Sequence, residues 1–177
     1  MTLPGDTKES DQLARMVRVD HAGEYGARRI YQGQLAVLGK GEHGEVLRLM
    51  QAQEEEHLAK FSSLIGERRV RPTALLPFWH VAGFALGALT AAMGPKAAMA
   101  CTVAVEETID AHYRAQSAKL EGVDDGLRET IEAFRADELE HRDMALERGA
   151  EQAPGYRLLK AVIKTGCRAA IAISERV

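Results

Sequence analysis

LRLMQAQEEEHLAKFSSLIG, Leu47–Gly66, places residues on one helical face at alternating steps of three and four: Leu47, Met50, Glu54, His57, Phe61 and Leu64. That period is the buried seam of an α-helix in a bundle. Its only polar members are Glu54 and His57, one turn apart and therefore stacked on the inward face. The adjacent Glu55 and Glu56 fall off the seam and read as solvated. The same pattern recurs as Glu138-Leu139-Glu140-His141, inside the seam Leu127, Ile131, Phe134, Glu138, His141 and Ala145. A single Glu-x-x-His is ordinarily a hydrogen-bonded pair, so its meaning depends on what faces it.

Two further helices supply the context. The first spans about 10–38, with Ser10 or Asp11 as an N-cap, and carries Glu24 in the middle of the seam Leu13, Val17, Asp20, Glu24, Ala27, Tyr31 and Gln34 or Leu35. Glycines 39 and 41 end it and turn the chain into the Glu54 helix, which is expected over about 42–65. Another helix starts at Pro95, a favourable first helical residue, and ends before Gly122. Its seam carries Glu106. The helix bearing Glu138 is expected to start at an Asp124-Asp125 cap and end at Gly149.

These helices form a repeat. Glu24, Tyr31, Gln34 and Leu38 share their spacing with Glu106, Tyr113, Gln116 and Leu120, 82 residues on, while the two Glu-x-x-His pairs are 84 apart. Two hairpins of one design therefore face each other. A four-helix bundle giving one glutamate from each of two helices, and Glu-x-x-His from each of the others, is the pattern of a carboxylate-bridged pair of iron or manganese ions. The expected ligands are Glu24, Glu54, His57, Glu106, Glu138 and His141, with Glu54 and Glu138 bridging. Four carboxylates balance two divalent cations, and without metal their charges in a core would be costly unless several were protonated. The absence of a thiolate cluster argues against structural zinc.

The composition agrees with an all-α chain: 177 residues, 5% aromatic, five prolines. A net charge of −3 carries no nucleic-acid signature. Cys101 and Cys167 show no CxxC spacing and imply neither disulfide framework nor zinc site. The opening MTLPGDTKESDQ has no secretory or transit character. Residues 66–94 read as a long crossover between the hairpins. Its apolar part, Phe78–Met93, is 16 residues long, interrupted by His80, Gly83 and Gly87, and too short to span a bilayer. A last helix, about 154–174, carries Arg157, Lys160, Lys164 and Arg168 on one face and Leu158, Leu159, Val162, Ile163 and Ile171 on the other. The apolar segment and this amphipathic helix suit a peripheral position on a membrane surface, or else packing on the bundle or an oligomer interface. The expected architecture is one ferritin-like four-helix domain over 1–177, with a long crossover and a C-terminal amphipathic helix.

The words RVDHAGEYGARRIYQGQ (Arg18–Gln34), EEEHLAKF (Glu54–Phe61), ACTVAVEETIDAHY (Ala100–Tyr113) and DELEHRD (Asp137–Asp143), with the ending GCRAAIAISERV, resemble the demethoxyubiquinone hydroxylases of ubiquinone biosynthesis. The resemblance covers nearly the whole chain after the first dozen residues, and all six ligand positions match. It implies two iron ions per chain, hydroxylation of the ring of a demethoxyubiquinone-type polyprenyl quinone, and dioxygen and NADH as co-reactants. It also implies a lipid-binding accessory protein of the same pathway. The site would be at the cytoplasmic face of a bacterial inner membrane, or the matrix side of the mitochondrial one for a eukaryotic mature form. No targeting extension of the eukaryotic kind precedes the first helix, which favours the bacterial or mature reading. The His112-Tyr113 pair matches residues implicated in substrate or electron handling.

Read from the residues alone, Tyr31 and Tyr113 are core side chains with hydrogen-bonded hydroxyls, and Asp20, His21, Asp110 and His112 are either partners that orient ligands or satisfied structural groups. No Gly-rich dinucleotide fingerprint is present. The rival readings are ferritin-like iron storage, a peroxide-handling di-metal protein, and a membrane-binding helical protein whose core acids are incidental.

Overall fold

The computed structural model describes residues 8–177, and among them every regular element is helical. The opening segment lies mostly outside this range. Six α-helices follow in order: α1 Lys8–Leu38, α2 Gly44–Glu67, α3 Leu76–Ala92, α4 Pro95–Leu120, α5 Asp125–Glu147 and α6 Tyr156–Ser174, with a short 3-10 turn at Ala150–Gln152. The hairpins α1–α2 and α4–α5 form the bundle. Each expected seam residue of α2 is buried, and Glu55 and Glu56 are exposed. Asp124 caps α5 by accepting a 3.0 Å hydrogen bond from the Leu127 amide. Helix α1 runs back at least to Lys8, so Ser10 and Asp11 lie within it and neither is its N-cap.

The bundle has two apolar ends. One packs Leu47 and Met50 with Tyr31, Met99, Val103 and Ala145. The other packs Phe61 and Leu64 with Val17, Tyr113, Leu120, Leu127 and Ile131. The six acidic and histidine residues sit on the seams between these ends, where flanking layers of apolar side chains keep water out.

Residues 66–94 hold a helix, α3, where the sequence reading had an apolar crossover segment. It packs along α1, chiefly through its smallest residues. Gly83, Gly87, Thr90 and Ala91 are buried, whereas Phe78, Val81, Leu89 and Met93 are 60–66% exposed. The glycines that interrupt the apolar run are therefore its contact face. A Cβ on Gly87 would lie 1.9 Å from the Ile30 carbonyl oxygen, and one on Gly33 would lie 2.2 Å from that of Phe84. This contact explains why α1 buries Val19, Ala22 and Ile30 besides its bundle seam. At the end of α3, Gly94 takes φ 116°, open to glycine alone, and Pro95 begins α4.

Helix α6 lies on α4, with Ile163 buried and Leu158 and Val162 exposed. Its basic face is divided. Lys160 and Lys164 turn inward to Glu107 on α4, at 3.1 and 2.7 Å, and hold its carboxyl below the usual range against the effect of burial. Only Arg157 and Arg168 of the four expected cations stay exposed.

Candidate metal centre and apolar cavity

The bundle brings the six predicted residues together as two overlapping clusters. Glu24, Glu54, His57 and Glu138 form one; Glu54, Glu106, Glu138 and His141 form the other. Within each, one potential ligand atom per residue lies within 4.8 Å of all the others. Glu54 and Glu138 belong to both. The oxygens of Glu138 divide between the halves: Oε1 is 3.4 Å from His57 Nδ1 and Oε2 is 3.3 Å from His141 Nδ1. All six residues are at most 2% exposed.

These groups are ready to bind something. Glu24 Oε2, Glu106 Oε2, both oxygens of Glu54 and Glu138, and Nδ1 of both histidines are buried without a hydrogen-bond partner. Orphaned atoms at this density are rare in a folded core, and here all of them converge. Their oxygen and imidazole donors fit two iron or manganese ions. The electrostatics of the protein without metal agree. Burial, then Glu138 and Glu24, push the Glu54 carboxyl well above its usual range; burial, Glu138 and Glu54 do the same to Glu106. Burial also raises Glu138, but His141 and His57 outweigh it and hold that carboxyl at about 2. Burial would lower His57, yet Glu138 and Glu24 carry it up to about 12. Protons thus occupy part of the positive charge that the four carboxylates require.

Each terminal glutamate is held by the tyrosine of the opposite hairpin. Tyr31 Oη donates to Glu106 Oε1 at 2.6 Å, and Tyr113 Oη donates to Glu24 Oε1. Burial and the neighbouring carboxylates raise both phenols well above their ordinary value, so they remain donors. The other polar seam residues lie further out. Asp20 accepts from Gln116 at 2.9 Å and faces His112 at 3.1 Å. His112 borders a separate surface hollow with Arg15 and Lys119. Asp110 is paired with Arg135 at 2.6 Å, which fits the second of its two readings, a satisfied structural group. His21 is buried with Nδ1 unpartnered.

Two contacts had gone unassigned from sequence. Asp137 Oδ2 meets His57 Nε2, and Gln53 Oε1 meets His141 Nε2, both at 3.0 Å. Each residue immediately precedes the glutamate of one Glu-x-x-His pair and reaches across to the histidine of the other. That shared position in the two copies was the available signal.

Beside the centre lies an apolar cavity of about 380 Å³ between α1, α3, α4 and α6. Gly23 and Ala27, which flank Glu24, and Val105, next to Glu106, line it. So do Trp79, Ala82 and Leu86 of α3 and Val162, Gly166 and Ala170 of α6. Trp79 Nε1 donates to Ser174 Oγ at 3.1 Å, joining the two flanking helices.

A two-hairpin bundle with this constellation is matched over residues 11–174 by the sequence model described as "Ubiquinone biosynthesis protein COQ7". The chain belongs to the COQ7 family. That family is a ferritin-like di-iron one, and the all-helical bundle with its oxygen and imidazole donors is consistent with it. The chain is 56% identical over 176 residues to the 3-demethoxyubiquinol 3-hydroxylase of Rhodospirillum rubrum, covering 99% of this chain and 83% of that one. Its identity to the human NADPH-dependent 3-demethoxyubiquinone 3-hydroxylase, mitochondrial, is 54% over 181 residues, covering 100% of this chain and 82% of the relative. Against the Saccharomyces cerevisiae 5-demethoxyubiquinone hydroxylase, mitochondrial, it is 43% over 182 residues, covering 93% and 78%.

Proposed function

We propose that the protein is a di-iron monooxygenase that hydroxylates the ring of a demethoxyubiquinone-type polyprenyl quinone, using dioxygen and electrons derived from NADH. The observation that carries this reading is the apolar cavity running from the walls beside Glu24 and Glu106 to an apolar rim. Val162 both lines the cavity and is 62% exposed, so the cavity opens where α3 and α6 present uncovered apolar side chains. In this reading the ring approaches the metal centre from the cavity wall beside Glu24 and Glu106 while its prenyl tail remains among apolar groups. Iron storage needs no such opening.

Glu24 and His57 would hold one iron, Glu106 and His141 the other, and Glu54 and Glu138 would bridge them. The bound irons would supply the activation of dioxygen. The protein's own residues do the rest. Tyr31 and Tyr113 fix the terminal carboxylates so that each keeps one oxygen free. The Nε2 contacts leave the Nδ1 lone pairs of both histidines directed at the centre. The apolar walls exclude water from the ring. The reductant is read as NADH; the mammalian relatives are named NADPH-dependent, and comparing the two donors in one assay separates them.

The large apolar side chains exposed on α3 (Phe78, Val81, Leu89) and on α6 (Leu158, Val162) support a peripheral place on a membrane. No described helix is long and apolar enough to cross a bilayer. We place the protein on the cytoplasmic face of the inner membrane in a bacterium, or the matrix side in a mitochondrion, with a lipid-binding accessory protein presenting the quinone.

Filling the cavity tests the reading. Ala170→Phe is expected to keep two irons per chain and to lower quinone hydroxylation at least about tenfold, a loss of roughly 1.4 kcal/mol in transition-state stabilisation. Unchanged hydroxylation by a fully folded Ala170→Phe protein would contradict the cavity as the route to the centre.

A further inference from the structure

The duplicated centre is nearly symmetric, and the exception is informative. In both halves a tyrosine holds the terminal glutamate, and a histidine turns Nδ1 inward. In both, the residue just before a Glu-x-x-His pair receives the outer Nε2 of the opposite histidine, again at 3.0 Å. Among these equivalent contacts only one changes in charge: His57 is backed by the Asp137 carboxylate, His141 by the neutral Gln53 amide.

The geometry points to Asp137 as a positioning residue that makes the Glu24–His57 half the stronger metal site, so that the two halves fill unequally. This rests on the two-ion reading above. Both acceptors place the ring hydrogen on Nε2 and leave Nδ1 free to bind. A carboxylate does more than an amide, because it polarises the N–H bond and raises the donor strength of the opposite nitrogen. A second difference has the same sense. Gln116 donates to Asp20, four residues before Glu24, and Gln34 donates at 3.4 Å to Thr102, four residues before Glu106. The acid again lies on the Glu24 side. His112 already meets Asp20, so that residue adds less than Asp137, which touches a ligand directly.

Partners of this kind change metal affinity by about 10- to 100-fold. Asp137 is 39% exposed, and solvent screens its field, so the lower end of the range, about tenfold, is expected. The test uses crystals of the metal-free full chain soaked in one equivalent of manganese(II), with the occupancy of each half measured by anomalous scattering. In the wild type the stronger peak lies at Glu24–His57. In Asp137→Asn the ratio of the peaks falls about tenfold, leaving at most the smaller Asp20 preference, and in the double variant Asp137→Asn with Gln53→Glu the order reverses. A merely structural contribution would lower both peaks together and leave their ratio unchanged, which would overturn the inference. Equal peaks in the wild type would overturn it as well. If Asp137→Asn does not fold, Gln53→Glu alone is expected to remove the preference, and persistence of the wild-type ratio there contradicts it. Absence of manganese from both halves would overturn the two-ion reading itself, an outcome distinct from two equal peaks.

Discussion

Glu54 and Glu138 have the same residue type, the same seam position and the same burial, yet their proton affinities move in opposite directions. Glu138 lies against both histidines, which outweigh burial and draw its proton affinity down; burial, then Glu138 and Glu24, raise that of Glu54, although its Oε1 is 3.3 Å from His141 Nδ1. The sign of the resulting pH dependence follows. Glu54 and Glu106 are raised above 4.5, and His57 is raised from 6.5 to about 12. Each therefore contributes stability below its unfolded-state value and loses it as pH climbs toward the folded-state value. Glu138 acts only as pH falls from 4.5 toward about 2. Between about pH 7 and 9, inside the His57 window of 6.5 to about 12, the metal-free protein is thus expected to lose thermal stability as pH rises, and the gain in Tm on adding manganese(II) should grow over the same interval. Thermal scans of both forms check this, and a metal-free Tm that stays flat or rises across the interval would contradict it. The ligands were legible in the sequence because ionisable residues on an otherwise apolar seam stand out. Asp137 and Gln53 did not stand out, because each looks from its own helix like an ordinary flanking residue and finds its histidine only across the bundle.

At the level of elements, the four bundle helices followed from period and caps, whereas α3 was read only as an apolar crossover. Its pattern misled because the ordinary rule is reversed: small residues face the protein and large ones face outward. The reason is distance. Backbone contacts between α1 and α3 leave no space for Cβ atoms at Gly33, Gly83 and Gly87. Gly87→Leu is therefore expected to destabilise the fold by roughly 1–3 kcal/mol, read as a lower urea midpoint. Gly66→Ala, with nothing within 4 Å of the added carbon, should be neutral or stabilising by up to about 1 kcal/mol. Equal midpoints for the two variants would remove the close approach as the cause. The split basic face of α6 has a similar origin. Helical spacing placed four cations together, but Glu107 sits beside Glu106 on a helix whose relation to α6 no local pattern reveals.

For the whole molecule, no local pattern in the sequence announces the cavity, since its walls come from four helices distant in sequence. The exposed apolar side chains of α3 follow from its small residues facing α1, and Leu158 and Val162 of α6 add to them. Flotation with anionic liposomes is expected to carry the wild type to the lipid fraction, and Val81→Ser with Leu158→Ser to reduce that fraction while leaving metal uptake unchanged. Protein that stays wholly in the aqueous fraction would contradict the membrane placement. The central claim is that the two hairpins unite six residues into a di-iron centre that oxygenates a quinone ring in the neighbouring cavity. Its most direct test loads the chain anaerobically with ferrous iron, then adds a demethoxyquinone, NADH and ¹⁸O-labelled dioxygen, and weighs the quinone by mass spectrometry. The account requires one labelled oxygen atom in the ring product; an unlabelled, unchanged quinone in the presence of two bound irons would contradict it.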